Sequence, residues 1–202
     1  MSAALPLRTR GVATLAIVAI LFFVMSLVAA YANRNLIFEQ RTSANQYRST
    51  QAFEAAEAGV EWALAMLNGG SIDASCQPSG DADDTTFRER YIVINPDTGL
   101  ITARLPTASG QGTVWPSCVY DGAAWVCSCP TEGAPDLDRP AGDGPFPAFR
   151  VRLSIAPGPA QPGTVLIESN GCTRLDDACL NFPPAGVAGE GRAAVQVLAA
   201  LR

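Results

Sequence analysis

The stretch that decides the reading is Gly11–Asn33, GVATLAIVAILFFVMSLVAAYAN. No Asp, Glu or Arg lies between Arg10 and Arg34. About 20 apolar residues in a helix cross the hydrocarbon core of a bilayer, so this run is long enough to span one. Arg8 and Arg10 precede it and no acid does. By the positive-inside rule the N-terminus is then cytoplasmic and the bulk of the chain lies across the membrane. Three readings fit the run by itself. It is a permanent anchor, or a secretory signal cut at the small-x-small site Ala30-Tyr31-Ala32, or a short basic leader ending at Arg10-Gly11 with the apolar helix retained. A secretory signal has an apolar core of about 7–15 residues, and this one is longer.

The helical pattern continues past the apolar run. Asn33 to Asn68 contains no Pro and a single Gly, Gly59, and is dominated by good helix formers such as Glu39, Ala44, Gln46, Ala55 and Ala58. A stripe at steps of three and four passes through Leu36, Gln40, Ala44, Tyr47, Gln51, Ala55, Ala58, Trp62 and Ala65. Leu36, Ala44, Tyr47, Ala55, Ala58 and Trp62 are its expected packing residues. Arg34, Arg41 and Arg48 recur every seven residues on another face. Gly69-Gly70 ends the pattern. A continuous helix from Val12 to Asn68 is roughly 85 Å long at about 1.5 Å per residue.

The 202 residues divide sharply in composition. Residues 1–70 hold one of the 15 Pro, four of the 18 Gly and no Cys; residues 71–202 hold the rest, including all six Cys. The second part carries 15 acids against nine Arg, the first four acids against five Arg. The chain has no His and no Lys, because all 14 basic residues are Arg. His-based nucleophilic catalysis, Schiff-base chemistry, a His-ligated metal and a P-loop lysine are therefore excluded. A net charge of -5 argues against a nucleic-acid partner. No catalytic, cofactor or metal site is expected.

Beyond residue 70 the spacing predicts strands over 87–94, 100–105, 114–120, 124–129, 149–155, 164–169 and 193–201. Phe149–Leu153 alternates strictly, which predicts one wet face. Asn95-Pro96-Asp97-Thr98-Gly99 and Asp121-Gly122 mark turns, and Pro130–Pro147 reads as an exposed loop. Across a membrane, six Cys read as a disulfide framework. Cys172 and Cys179 are the best pair. Cys127 and Cys129 are too close to bond each other, so one is expected to pair with Cys118 and the other with Cys76, tying the helix end to the sheet. Six Cys allow 15 connectivities. The acidic groups Asp81-Ala82-Asp83-Asp84, Asp136-Leu137-Asp138 and Asp176-Asp177 lack calcium-loop spacing and read as solvated loops. Trp115, Trp125 and Phe146 read as buried aromatics rather than an adhesive surface.

The N-terminal architecture resembles the type IV pilins, and within them the PilX-type minor pilins. The residues that carry this are Arg10-Gly11 followed by Val12-Ala13-Thr14-Leu15-Ala16, then Ala44-Asn45 and Ala55-Ala56-Glu57-Ala58-Gly59 within Thr42–Leu64. Arg192–Arg202, RAAVQVLAALR, is also similar to the way such domains end. The resemblance implies an α+β pilin-like fold: a long N-terminal helix, membrane-spanning in its first half, packed against an antiparallel β-sheet domain with disulfides. It implies a leader at 1–11, a membrane or filament-core helix at 12–32, an amphipathic continuation at 33–70 and a periplasmic or extracellular domain at 71–202. It implies cleavage after Gly11 by a prepilin peptidase, N-methylation of Val12, residence in the inner membrane, and assembly with minor and major pilins in a pilus, near its tip. Most pilins carry Glu at the fifth mature position, where this chain has Ala16. That departure speaks against a major, repeating pilin and leaves a type II secretion pseudopilin open. A membrane-anchored or secreted disulfide-stapled ligand-binding domain is the alternative outside the family.

Overall fold

The computed structural model describes residues 10–104, 107–108, 112–113, 115–132, 135–142, 144–156, 161–184 and 190–201, with backbone alone at 10–12, 35, 107–108 and 112–113. The chain forms two compact units, residues 1–46 and 47–202. One helix, α1 (Arg10–Leu67), contributes to both. The absence of Pro allows it to run 58 residues. Asn68 and Gly69 end it: their N–H groups donate back to Ala65 and Met66 carbonyls at 3.1 Å each. The Arg88 guanidinium donates to the Leu67 carbonyl and, at 3.1 Å, to Asn68 Oδ1. A cation at a helix C-terminus is favourable against the helix dipole.

Among its described residues the first unit is helix alone, and every described side chain from 13 to 46 faces outward. The second unit starts with short elements: β1 (Ser71–Ile72), β2 (Thr85–Thr86), α2 (Phe87–Tyr91), β3 (Ile92–Ile94), β4 (Ile101–Ala103), β5 (Thr107–Ala108) and β6 (Gly112–Thr113). These pair as three small antiparallel ribbons, β1 with β2, β3 with β4 and β5 with β6. The main sheet follows: β7 (Ser117–Tyr120), β8 (Trp125–Ser128), β9 (Ala148–Ile155), β10 (Thr164–Cys172) and β11 (Arg192–Ala200), with α3 (Asp177–Leu180) between the last two. Its order is β11-β10-β9-β7-β8 and every pairing is antiparallel.

The expected strand over 87–94 is half helix. Thr86 accepts the Glu89 N–H at 3.2 Å, and the Glu89 carboxylate accepts the Thr86 N–H at 2.9 Å. This reciprocal capping box turns the chain into α2 before β3 can begin. The Thr86 backbone hydrogen bond, helped by the Thr86 hydroxyl, holds the Glu89 carboxyl below the usual range.

The alternation in β9 also departs from a wet outer face, because Arg150 is buried. Its guanidinium donates to Ser117 Oγ at 2.9 Å, Asn181 Oδ1 at 3.0 Å and Asp177 Oδ1 at 2.7 Å. The segment after β10 lies over this outer face and supplies two of those acceptors. Cys172–Cys179 and a bond from Asn170 Nδ2 to the Asn181 carbonyl at 2.6 Å hold the segment down. Most described residues between Pro130 and Pro147 are exposed, as expected of a loop, and Leu137 and Phe146 anchor it against the outer-layer cluster that holds Val119, Ala148 and Leu180. Further along, Glu168 is buried between Arg152 Nε at 2.6 Å and Gln196 Nε2 at 2.7 Å. The inner face carries Phe149, Val151, Leu153, Val165 and Ile167, which form the main core with Val60, Ala63 and Leu67 of α1.

Candidate functional site: the α1 surface and its seam

The first unit presents the apolar run as solvent-facing surface. Leu15 is 73% and Phe22 74% exposed. Between 13 and 33 the helix offers no charge and little polarity. Ser26 donates its hydroxyl to the Phe22 carbonyl at 2.8 Å and Thr42 to Phe38 at 2.9 Å. Those hydroxyls are satisfied within the helix and add no unpaired donor to an apolar environment. The Arg34 guanidinium lies 5.8 Å from the Phe38 ring centroid. An apolar helix of this length satisfies its backbone internally, so either lipid or other helices can cover it. Gly11 and Val12 fall within the helical backbone of α1, and the structure describes them by backbone alone.

The second unit uses the other end of α1 differently. Here the buried residues are Ala52, Ala55, Ala56, Gly59, Val60, Ala63 and Leu67. Relative to the expected stripe the contact line is rotated by about one residue. Ala55 is buried, Ala58 and Trp62 are partly buried against the core, and Ala65 is exposed. Leu36, Ala44 and Tyr47 are exposed in the single chain. The reason is size. The line through Ala52, Ala56 and Gly59 lets the helix backbone meet the sheet almost without side chains between them.

Three glycines define that approach. A Cβ on Gly171 of β10 would overlap the Ala52 carbonyl and the Ala56 backbone N. One on Gly59 would overlap Ser169 Oγ and the Phe149 ring, and one on Gly191 the Arg48 carbonyl. Gly in a strand interior often marks such a close approach. Trp62 flanks the seam, 5.4 Å from the Phe87 ring and 5.6 Å from Phe149. Trp125 continues the aromatic layer at 4.8 Å from Phe149, while Trp115 lies 6.1 Å from Phe182.

Covalent and polar staples surround the seam. Cys118 and Cys127 face each other across the β7–β8 ladder and are bonded, with Cα atoms 4.0 Å apart. Cys76 is bonded to Cys129, which joins the segment after α1 to the end of β8. Arg90 reinforces this link. Buried on α2, it donates to the carbonyls of Asp73 at 2.9 Å, Cys129 at 2.7 Å and Ile72 at 2.6 Å. Tyr91 donates its hydroxyl to the Pro130 carbonyl at 3.0 Å, and burial pushes its phenol well above the usual range. Several acids are turn formers: Asp176 Oδ1 caps α3, and Asp121 Oδ1 accepts the Ala123 and Ala124 N–H groups at 2.8 Å each. The backbone bond from Ala124, then that from Ala123, holds the Asp121 carboxyl low.

Residues 10–61 match the family model described as PilX N-terminal. Over these residues the chain is similar to the PilX-type minor pilins. The matched segment includes both the exposed apolar run and the seam line Ala52, Ala55, Ala56 and Gly59. No curated protein and no solved structure matches the chain. The matched segment thus has two surfaces of different character. One is large, apolar and uncovered in the single chain; the other is narrow, built of Ala and Gly, and already occupied by the sheet.

Sequence reasoning did not single out Gly171, Gly191, Arg90 or Arg150. Gly171 lies beyond the strand expected over 164–169, in the polar stretch Ser169-Asn170-Gly171, which reads as a turn. For Arg90 the available signal was the Thr86-x-x-Glu89 capping word, which moves that residue from a strand onto a helix.

Proposed function

We propose that the chain is a minor pilin that helps initiate a type IV pilus or enters it, near the tip. Residues 1–11 are a leader removed after Gly11 by a prepilin peptidase, and Val12 becomes the methylated N-terminus. Residues 12–32 wait as a single span in the inner membrane, with residues 71–202 in the periplasm, and then pack among the helices of minor and major pilins. The observation that carries this reading is that one uninterrupted helix holds both an exposed apolar segment and the segment seated on the domain. A secretory signal cut after Ala32 would divide the segment matched by the PilX N-terminal model, residues 10–61. Here the matched PilX-type segment extends into the domain's core. The family is structural, and the role is packing and assembly rather than catalysis.

The Arg8 and Arg10 pair ahead of the apolar run supports the orientation. Ala16 supports a specialised subunit, since most pilins carry Glu at this fifth mature position and this chain does not. Deleting the chain separates pilus from secretion roles. The expected result is loss of surface filaments and twitching with type II secretion intact, and with the chain recovered in sheared wild-type filaments. Loss of secretion with normal filaments would overturn the reading in favour of a pseudopilin.

A further inference from the structure

Strand β11 is an edge of the main sheet, paired with β10 alone. Just beyond the two ends of its ladder, the Leu201 N–H donates to the Gly163 carbonyl at 2.7 Å and the Thr173 N–H to the Gly191 carbonyl at 3.2 Å. In an antiparallel ladder the hydrogen-bonded residues alternate. The odd-numbered residues of β11 therefore turn their backbone groups to β10. Arg192, Ala194, Gln196, Leu198 and Ala200 turn theirs outward, where no described residue bonds them.

Natural sheets protect such edges with charge, Pro, a bulge or a covering segment. The opposite edge is protected in this way. β8 is four residues long, the adjoining Cys129 N–H donates to the Ala74 carbonyl at 2.7 Å, and Ser128 Oγ accepts the Asp136 N–H at 3.0 Å. By contrast β11 is nine residues long, with no Pro and no charge after Arg192. Its register with β10 is unbroken from Arg192 to Ala200.

The sequence also fits one particular occupant. RAAVQVLAA reads nearly the same in both directions about Gln196. Antiparallel pairing with a second copy, with a two-fold axis at Gln196, sets Gln196 against itself. It sets Val195 against Val197, Ala194 against Leu198 and Ala193 against Ala199. Gln196 is one of the outward-turned residues, so the axis falls on a hydrogen-bonded pair, as this pairing requires. Leu198, 54% exposed in the single chain, gains an apolar cross-strand neighbour.

We propose that β11 is a self-association edge, joining two copies of this chain into one continuous antiparallel sheet. A two-fold contact closes on itself, so it pairs two molecules and does not build a filament. The proposal does not depend on the pilus reading, because α1 takes no part in it.

The test is sedimentation of the full chain in detergent micelles with its disulfides intact, with two variants. Ala194→Pro removes one outward N–H and leaves the β10 ladder its donors. Leu198→Lys places a charge on the edge without touching the backbone, and covers the case in which the proline variant fails to fold. The expected result is a dimer for the unchanged chain and a monomer for the variants. A monomeric unchanged chain at every concentration would overturn the proposal. So would a dimer that survives Leu198→Lys in a folded protein, which would place association on the apolar helix instead.

Discussion

Gly11→Val is expected to leave residues 1–11 on the chain and to abolish its entry into filaments. Gly11 lies in the helical backbone, one residue after α1 begins. Gly in a helix costs about 1 kcal/mol relative to Ala, so helix stability does not explain its presence. What Gly offers is a bare backbone that another protein can approach closely. A peptidase cutting after Gly11 needs such an approach, and a β-branched side chain obstructs it. The unprocessed chain should stay in the membrane at its full mass, with a correctly folded outer domain, because the substitution lies in the first unit and the core in the second. Normal cleavage and normal filaments in Gly11→Val would remove the leader reading.

Gly171→Ala is expected to cause a large loss of stability in the second unit. Its Cβ would overlap backbone atoms of Ala52 and Ala56, which cannot rotate aside as a side chain can. Overpacking a core usually costs about 1–3 kcal/mol and more where the neighbours cannot give. For Gly171→Ala the expectation is about 3 kcal/mol or above, read as a thermal midpoint lowered by roughly 10 °C. Gly70→Ala is the control, since no atom lies within 4 Å of the added carbon and the midpoint should stay within about 2 °C. Equal midpoints for the two variants would show that the helix does not approach the sheet this closely. The disulfides limit the unfolded chain in both variants alike, so the difference between them reports on the seam.

The fold class was legible because its two signals are long. A charge-free run of apolar residues followed by a Pro-free helical pattern leaves little freedom, six Cys beyond residue 70 point to disulfides, and the α+β arrangement follows from the strand patterns there together with the resemblance to the pilins. Details set by tertiary contact were less legible. The packing line of α1 is off by about one residue from Leu36–Ala65 spacing, because the sheet selects the smallest side chains rather than the most apolar ones. Trp62 therefore flanks the seam and Gly59 occupies it. Arg150 reads from the sequence as a wet position in an alternating strand. It is buried because Asp177 and Asn181, far along the chain, fold back to meet it. The difference between Cys127 and Cys129 was invisible in the spacing. Ladder register decides it, placing Cys127 opposite Cys118 and Cys129 beyond the strand, beside the Cys76 segment.

The assignment of function turns on the fate of Gly11–Asn33. Mass spectrometry of the N-terminal peptide, from the mature protein recovered from cells, addresses it directly. The expected result is a chain that starts at Val12 with a methylated amino group. A chain starting at Asn33, cut as an ordinary secretory signal, or one retaining Met1 as a plain anchor, would contradict it.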